Sequence, residues 1–235
     1  MANHSRRLRA LADDLWVADR PQKFYGLAVG ARMTVMRLSG ERLLLHSPVA
    51  LDAVLRAELD ALGRVSYVVA PSRLHHLYAG EVGKDYPAAR LWIAPGLERK
   101  RRDLAYVAVL GDDPPEEWRD EVRQVVFRGR PYENEVVFCH RRSRTLVLCD
   151  LAFNFGPSAA APTRWLMKLL RSYGHFGPTT LDPLLIRDRD AARESLERIL
   201  AWDFDRVVVA HGDILERGGR AALRAGYAWL LARRE

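Results

Sequence analysis

Cysteine is nearly absent from this 235-residue chain, and lysine is scarce. The two cysteines, Cys139 and Cys149, lie inside apolar runs. They form no CxxC motif and are too few for a disulfide framework, so both are expected to be reduced, strand-borne thiols. Only four of the 37 basic residues are lysine, so the net charge of +7 rests on arginines scattered along the chain. The denser basic stretches, 99–102 and 140–144, fall in expected loops or turns and lack the interleaved aromatics that stack on single strands. The charge permits an anionic partner, but this pattern disfavours nucleic acid. No apolar stretch approaches the roughly 20 residues of a transmembrane helix. Asp13 and Asp14 interrupt the N-terminal segment where a signal core would lie. The expectation is a cytoplasmic protein with a small-molecule substrate and no membrane partner, its oligomeric state open.

What is present is an ordinary globular composition, 49% hydrophobic, with strands and helices in alternation. Residues 1–14 have weak helical character and read as a lead-in; residues 15–235 read as a single domain. Strands are expected over 15–18, 31–38 and 42–46, with a turn at Ser39-Gly40-Glu41. Leu51, Val54, Leu55, Leu59 and Leu62 recur at helical spacing, and Gly63 is placed to stop that helix. A buried strand over 65–70, a short helix over 77–85 and a strand over 90–94 follow. Further strands are expected over 122–127, 135–139, 145–149 and 206–210. Helices are expected near 163–173, from an Asp190 cap to Trp202, and over 219–231. Hairpins in both halves argue for an α/β domain with mixed sheets.

Four apolar strands end on residues that bind metals. The run 43–45 ends at His46, and 65–70 leads to His75 and His76. The run 146–149 ends at Asp150, and 207–210 at His211. Imidazole and carboxylate are the donors expected for zinc, iron or manganese. A carboxylate inside an apolar run is costly unless paired or metal-bound, which favours a role for Asp150. Asp213 could orient the His211 ring or serve as an ordinary cap. His46 could support the site or be a buried, hydrogen-bonded strand-end histidine. His175 lies in a loop that could overhang a cleft, although loop packing is the simpler reading.

The segments GERLLLHSPV, LGRVSYVVAPSRLHHLYAGEVGKDYPAARLWIAPG, NEVVFCHRRSRTLVLCDLAFN and WDFDRVVVAHGD resemble, in order and context, the metallo-β-lactamase fold superfamily. The resemblance is closest to its divergent DUF4336 branch and covers nearly the whole chain. It implies an α/β (α+β) fold: an αββα sandwich of two mixed β-sheets with outer helices and a metal cleft at one edge. The superfamily's H-x-H-x-D-H loop reads here Pro71-Ser72-Arg73-Leu74-His75-His76. Its final histidine is matched by His76 and its aspartate by His75, while Pro71 and Arg73 replace the first two histidines. A further family histidine is missing near Arg130-Pro131-Tyr132. The bridging aspartate is matched by Asp150 and the last histidine by His211.

The resemblance thus implies a reduced site of His75, His76, Asp150 and His211 holding one divalent ion. Zinc leads, with iron or manganese as alternatives, or no metal if the site is degenerate. His75 is a fourth ligand or a general base, and with Asp150 forms the catalytic pair. Arg73 either holds an anionic substrate group or fills vacated space. The expected activity is hydrolysis of a small ester, thioester or phosphoester. The rival reading is a non-catalytic member of the fold acting as a binding or interaction module; a nucleic-acid-binding relative is a third.

Overall fold

The computed structural model describes residues 7–232. The chain opens with β1 (Leu8–Ala12), β2 (Leu15–Arg20), a small hairpin of β3 (Lys23–Phe24) and β4 (Leu27–Ala28), then β5 (Ala31–Leu38) and β6 (Arg42–His46). There follow α1 (Ala53–Leu62), β7 (Arg64–Ala70), α2 (Ala79–Asp85), β8 (Arg90–Ile93), α3 (Leu97–Lys100) and β9 (Ala108–Val109). The second half begins with β10 (Val122–Val126), β11 (Val136–His140) and β12 (Thr145–Val147). It continues through α4 (Ala161–Leu169), α5 (Asp182–Leu185), α6 (Arg189–Leu200), β13 (Arg206–Val208), α7 (Gly219–Gly226) and α8 (Ala228–Leu231). No helix among the described residues is long and apolar enough to cross a membrane.

Two mixed sheets result. The first has the order β1-β2-β5-β6-β7-β8-β9, antiparallel up to β6 and parallel from β6 onward. The second has the order β10-β11-β12-β13, with only the last pair parallel. Period-two alternation decides which side chains go where. Met36, Leu44, Val69 and Trp92 of the first sheet meet Val136, Phe138, Val147 and Val208 of the second in one inner core. Met33, Val35, Leu43 and Leu45 point the other way, against Leu55 and Leu59 of α1 and Val82 of α2. Val137, Cys139, Leu146 and Val207 likewise face Leu196 and Ile199 of α6 and Leu223 of α7. The layers are therefore helix, sheet, sheet, helix, the αββα sandwich that the resemblance implies.

Local chemistry sets most boundaries. Asp52 caps α1 by accepting from the Leu55 amide at 2.8 Å. Gly63 ends it with φ 158°, where a Cβ would stand 2.3 Å from the Glu41 carbonyl oxygen. Asp188, two residues before the expected Asp190, caps α6 through the Ala191 amide at 3.0 Å. The expected helical character of the lead-in is corrected where it can be followed, residues 1–6 lying outside the described residues: 8–12 form β1, paired antiparallel with β2, because strand pairing overrides weak local propensity. The 219–231 helix breaks at Tyr227 into α7 and α8. Strands β12 and β13 stop at Val147 and Val208, earlier than expected, so Asp150 and His211 sit on the loops just beyond them. Both cysteines are free and buried.

His46, the last residue of β6, points into the inner core. Its ring lies 5.0 Å from Phe138, edge to face, and its Nε2 is buried without a partner. Burial pushes its pKa down to about 3, and the nearby His75 acts in the same direction. The unfolded chain, where histidine titrates near its ordinary value of about 6.5, therefore takes up this proton first. Stability from this group is complete above about pH 6.5 and is lost as the pH falls toward about 3. Between pH 6.5 and 5 the loss amounts to roughly 2 kcal/mol. Urea denaturation across that range should show it, and His46→Gln should flatten that part of the slope.

Candidate metal centre

The parallel strand pairs β6–β7 and β12–β13 end at the edge where the loops after them meet. Three side chains converge there: His75, Asp150 and His211, with one ligand atom from each lying within 4.8 Å of the others. The Asp150 carboxylate stands between the two rings. His75 Nε2 lies 3.1 Å from Oδ2, and His211 Nε2 lies 3.5 Å from Oδ1. The two rings are 5.1 Å apart. All three side chains are close to fully buried, at 10%, 11% and 13% exposed for His75, Asp150 and His211.

Each ring is held from behind. His75 Nδ1 is 2.9 Å from Ser47 Oγ, and the His75 amide donates to Ser72 Oγ at 3.0 Å. His211 Nδ1 is 2.8 Å from the Gly30 carbonyl oxygen. A carbonyl only accepts, so His211 carries its proton on Nδ1 and, when neutral, presents a bare lone pair at Nε2. Burial pulls the His211 pKa below its ordinary value, partly offset by Asp150, so the neutral ring is the form present at pH 7. Two acceptors, Nε2 and the Oδ1 of Asp150, therefore face each other with no proton between them. Such a pair calls for a cation, and the donor set fits a metal ion: two inward Nε2 atoms, one carboxylate and outward partners that fix both rings. Burial lowers the His75 pKa, but the charge and hydrogen bond of Asp150 more than reverse this and leave it raised. Burial opposes the Asp150 charge, yet His75, His211 and Arg130 hold its pKa well below the carboxylate range.

The loop bearing Asp150 is fixed by a residue that the strand-end pattern does not reveal. Glu135, just before β11, accepts from the amides of Cys149, Asp150 and Leu151 at 2.6, 2.7 and 2.9 Å. Burial and the Asp150 charge raise its pKa to about 7, against the pull of those amides. Behind it, Arg130 donates to Asp182 at 2.7 Å and Glu133 at 2.6 Å, and reaches the Asp150 carbonyl oxygen at 3.4 Å. The loop bearing His211 is zipped to the Asp150 loop at Gly212, which has φ 89° and would bring a Cβ within 2.3 Å of the Asn154 carbonyl oxygen. The Asp213 amide donates to that same oxygen at 2.7 Å. Phe153 stacks parallel to the His211 ring, with centroids 6.2 Å apart.

The remaining sequence candidates fall elsewhere. His76, expected as a ligand, is not part of the cluster. It is buried, and its Nδ1 accepts from the Arg101 guanidinium at 3.0 Å. Burial, Lys100 and Arg101 push its pKa down to about 4. The loop turns His75 inward to Asp150, while Arg101, just past α3, holds His76 away from it. Asp213 does not orient His211, a role taken by Gly30; its carboxylate accepts from Ser158 at 2.9 Å. His46 approaches the site from beneath, in the inner core. His175 is exposed beside the Tyr173 carbonyl. Arg73 donates to the Pro131 carbonyl oxygen at 2.6 Å and so bridges to the turn where the family histidine is missing.

Comparison with known proteins agrees with this architecture. A metallo-β-lactamase from Pontibacter korlensis is similar over 96% of this chain and 99% of its own, with 10% identity and a TM-score of 0.63. The metal-soaked Flv1 flavodiiron core from Synechocystis sp. PCC6803 is similar over 95% of this chain and 60% of its own, with 14% identity and a TM-score of 0.68. The FIM-1 metallo-β-lactamase from Pseudomonas aeruginosa, in its mono-zinc form, is similar over 95% of this chain and 92% of its own, with 10% identity and a TM-score of 0.60. At such identities the likeness shows the fold alone. A search of curated proteins by sequence gives no match. The family described as a domain of unknown function, DUF4336, matches residues 12–161, more than half the chain. The chain thus belongs to the DUF4336 family and is a divergent member of the metallo-β-lactamase fold.

Proposed function

We propose that this protein is a metal-dependent hydrolase with a single divalent ion held by His75, Asp150 and His211. The observation that carries the reading is the convergence of His75 Nε2, the Asp150 carboxylate and His211 Nε2, with His211 Nδ1 turned back onto the Gly30 carbonyl oxygen. Zinc best suits two imidazoles and a carboxylate, and three protein ligands leave a coordination position for substrate or water. When bound, such an ion supplies Lewis acidity toward water and toward a carbonyl or phosphoryl oxygen. The substrate class is a small ester, thioester or phosphoester.

The chain's own residues do the rest. Ser47 and Gly30 set the two ring orientations, so no rotation is needed to present both Nε2 atoms. Glu135 fixes the Asp150 backbone through three amides. Phe153 provides an apolar wall beside His211. Supporting groups of this kind carry roughly 10–100-fold in metal affinity.

Elemental analysis and calorimetric zinc titration of protein purified without an affinity tag should give one ion per chain. His75→Ala, Asp150→Ala and His211→Ala should each abolish tight binding, while His76→Ala leaves it within a few-fold. A chain that refuses zinc, iron and manganese would overturn the reading, as would zinc binding that survives His211→Ala. Zinc binding with no turnover across ester, thioester and phosphoester substrates would instead favour the binding-module alternative. Glu135→Ala should lower zinc affinity by roughly 10–100-fold, with Glu135→Gln intermediate because it keeps one acceptor oxygen.

A further inference from the structure

The loop that carries His75 and His76 is bordered by cations. Arg73 runs across bare backbone at Gly96, where a Cβ would stand 3.2 Å from its Cδ and 3.3 Å from Asn134 Nδ2. One of its guanidinium nitrogens donates to the Pro131 carbonyl oxygen, and its Nε is buried with no partner. Lys100, the last residue of α3, donates to the Arg73 carbonyl oxygen at 2.6 Å. Arg101, the next residue, donates to His76 at 3.0 Å. Among the described residues, Arg101 alone of the three has a carboxylate partner, Asp103 at 2.7 Å. The acid of α3 itself, Glu98, pairs with Arg99 at 3.5 Å.

Three cations gathered around one short loop repel one another. The Lys100 ammonium shows it, its pKa lowered by burial and by the charges of Arg73 and Arg101. With one acid among them, the group carries excess positive charge beside the loop of the metal-centre ligand His75, with Arg73 two residues before it. Guanidinium forks and an ammonium suit an oxyanion, which offers several acceptor oxygens.

We propose that Arg73, Lys100 and Arg101, beside His76, form a subsite for an oxyanion group of the substrate, phosphoryl or carboxylate. The inference rests on the hydrolase reading in placing that group on the substrate worked on at the His75–Asp150–His211 centre. It makes the substrate an anionic ester rather than a neutral one, with the charged group seated toward α3.

The test is a calorimetric titration of inorganic phosphate into metal-free protein at low ionic strength, with acetate as a parallel arm. Saturable one-site binding is expected, weakened about tenfold or more in Arg73→Gln/Lys100→Gln. The control Arg220→Gln/Arg224→Gln removes the same formal charge from α7, on the far face, and should leave the affinity within about twofold; both pairs should keep the wild-type melting temperature. Binding of phosphate alone assigns a phosphoryl group, and comparable binding of acetate a carboxylate. Absence of saturation, or equal weakening in both double variants, would reduce the effect to general attraction by a basic chain and overturn the proposal. Phosphate binding in a protein that refuses metal would remove the hydrolase reading and keep the anion site. Zinc binding without phosphate binding would remove the anion site alone.

Discussion

A carboxylate buried at the junction of two sheets is the constraint around which this molecule is arranged. Asp150 cannot be left there uncompensated, since an unpaired buried charge costs several kcal/mol. Its side chain is answered by His75 and His211, and its backbone by Glu135 and Arg130. Those four partners come from three separate stretches of chain, the loops after β7, β10 and β13. Each in turn needs its own support: Ser47 for His75, Gly30 for His211, Asp182 and Glu133 for Arg130. The polar interior grows outward from one charge, and the apolar layers close around it.

Such an arrangement divides cleanly into what a sequence displays and what it conceals. The strands and helices of an α/β domain with mixed sheets were legible because their patterns are local, while the αββα layering was available only through the family resemblance. The three members of the cluster were legible because each follows an apolar strand, and strand ends gather sites in α/β folds. The inward turn of His75 against the outward turn of His76 was not. It depends on Arg101 and Asp150, 25 and 75 residues away. Glu135 was missed, yet a signal existed: it is a carboxylate abutting the apolar run 136–139, the same anomaly that singled out Asp150. The backbone partner of His211, Gly30, had no signal at all, because any residue has a carbonyl.

The family and fold assignments therefore stand on different ground from the chemistry. Inner-core packing between Phe138, Val136, Leu44 and Val69 joins the two sheets through apolar contacts that include none of the cluster's side chains. The edge is where this chain departs from the fuller ligand set of the superfamily that it resembles. Arg73 spans to the Pro131 turn, His76 is engaged by Arg101, and a compact three-residue cluster remains. A positive side chain in place of neutral donors changes the electrostatics of that half of the cleft, while the other half keeps its imidazole and carboxylate donors.

The zipper at Gly212 and Asn154 has a further meaning. It joins the loop after β12 to the loop after β13, and the Asp150–His75 contact joins that pair to the loop after β7 on the opposite sheet. The cluster therefore exists only while the two sheets are docked, and neither sheet alone supplies it. Any occupant of the cluster is bound by the folded state and not by the unfolded one, so its binding energy adds directly to the cohesion of the sandwich. In such a molecule the occupancy of the edge and the integrity of the core are one equilibrium, observable from either end.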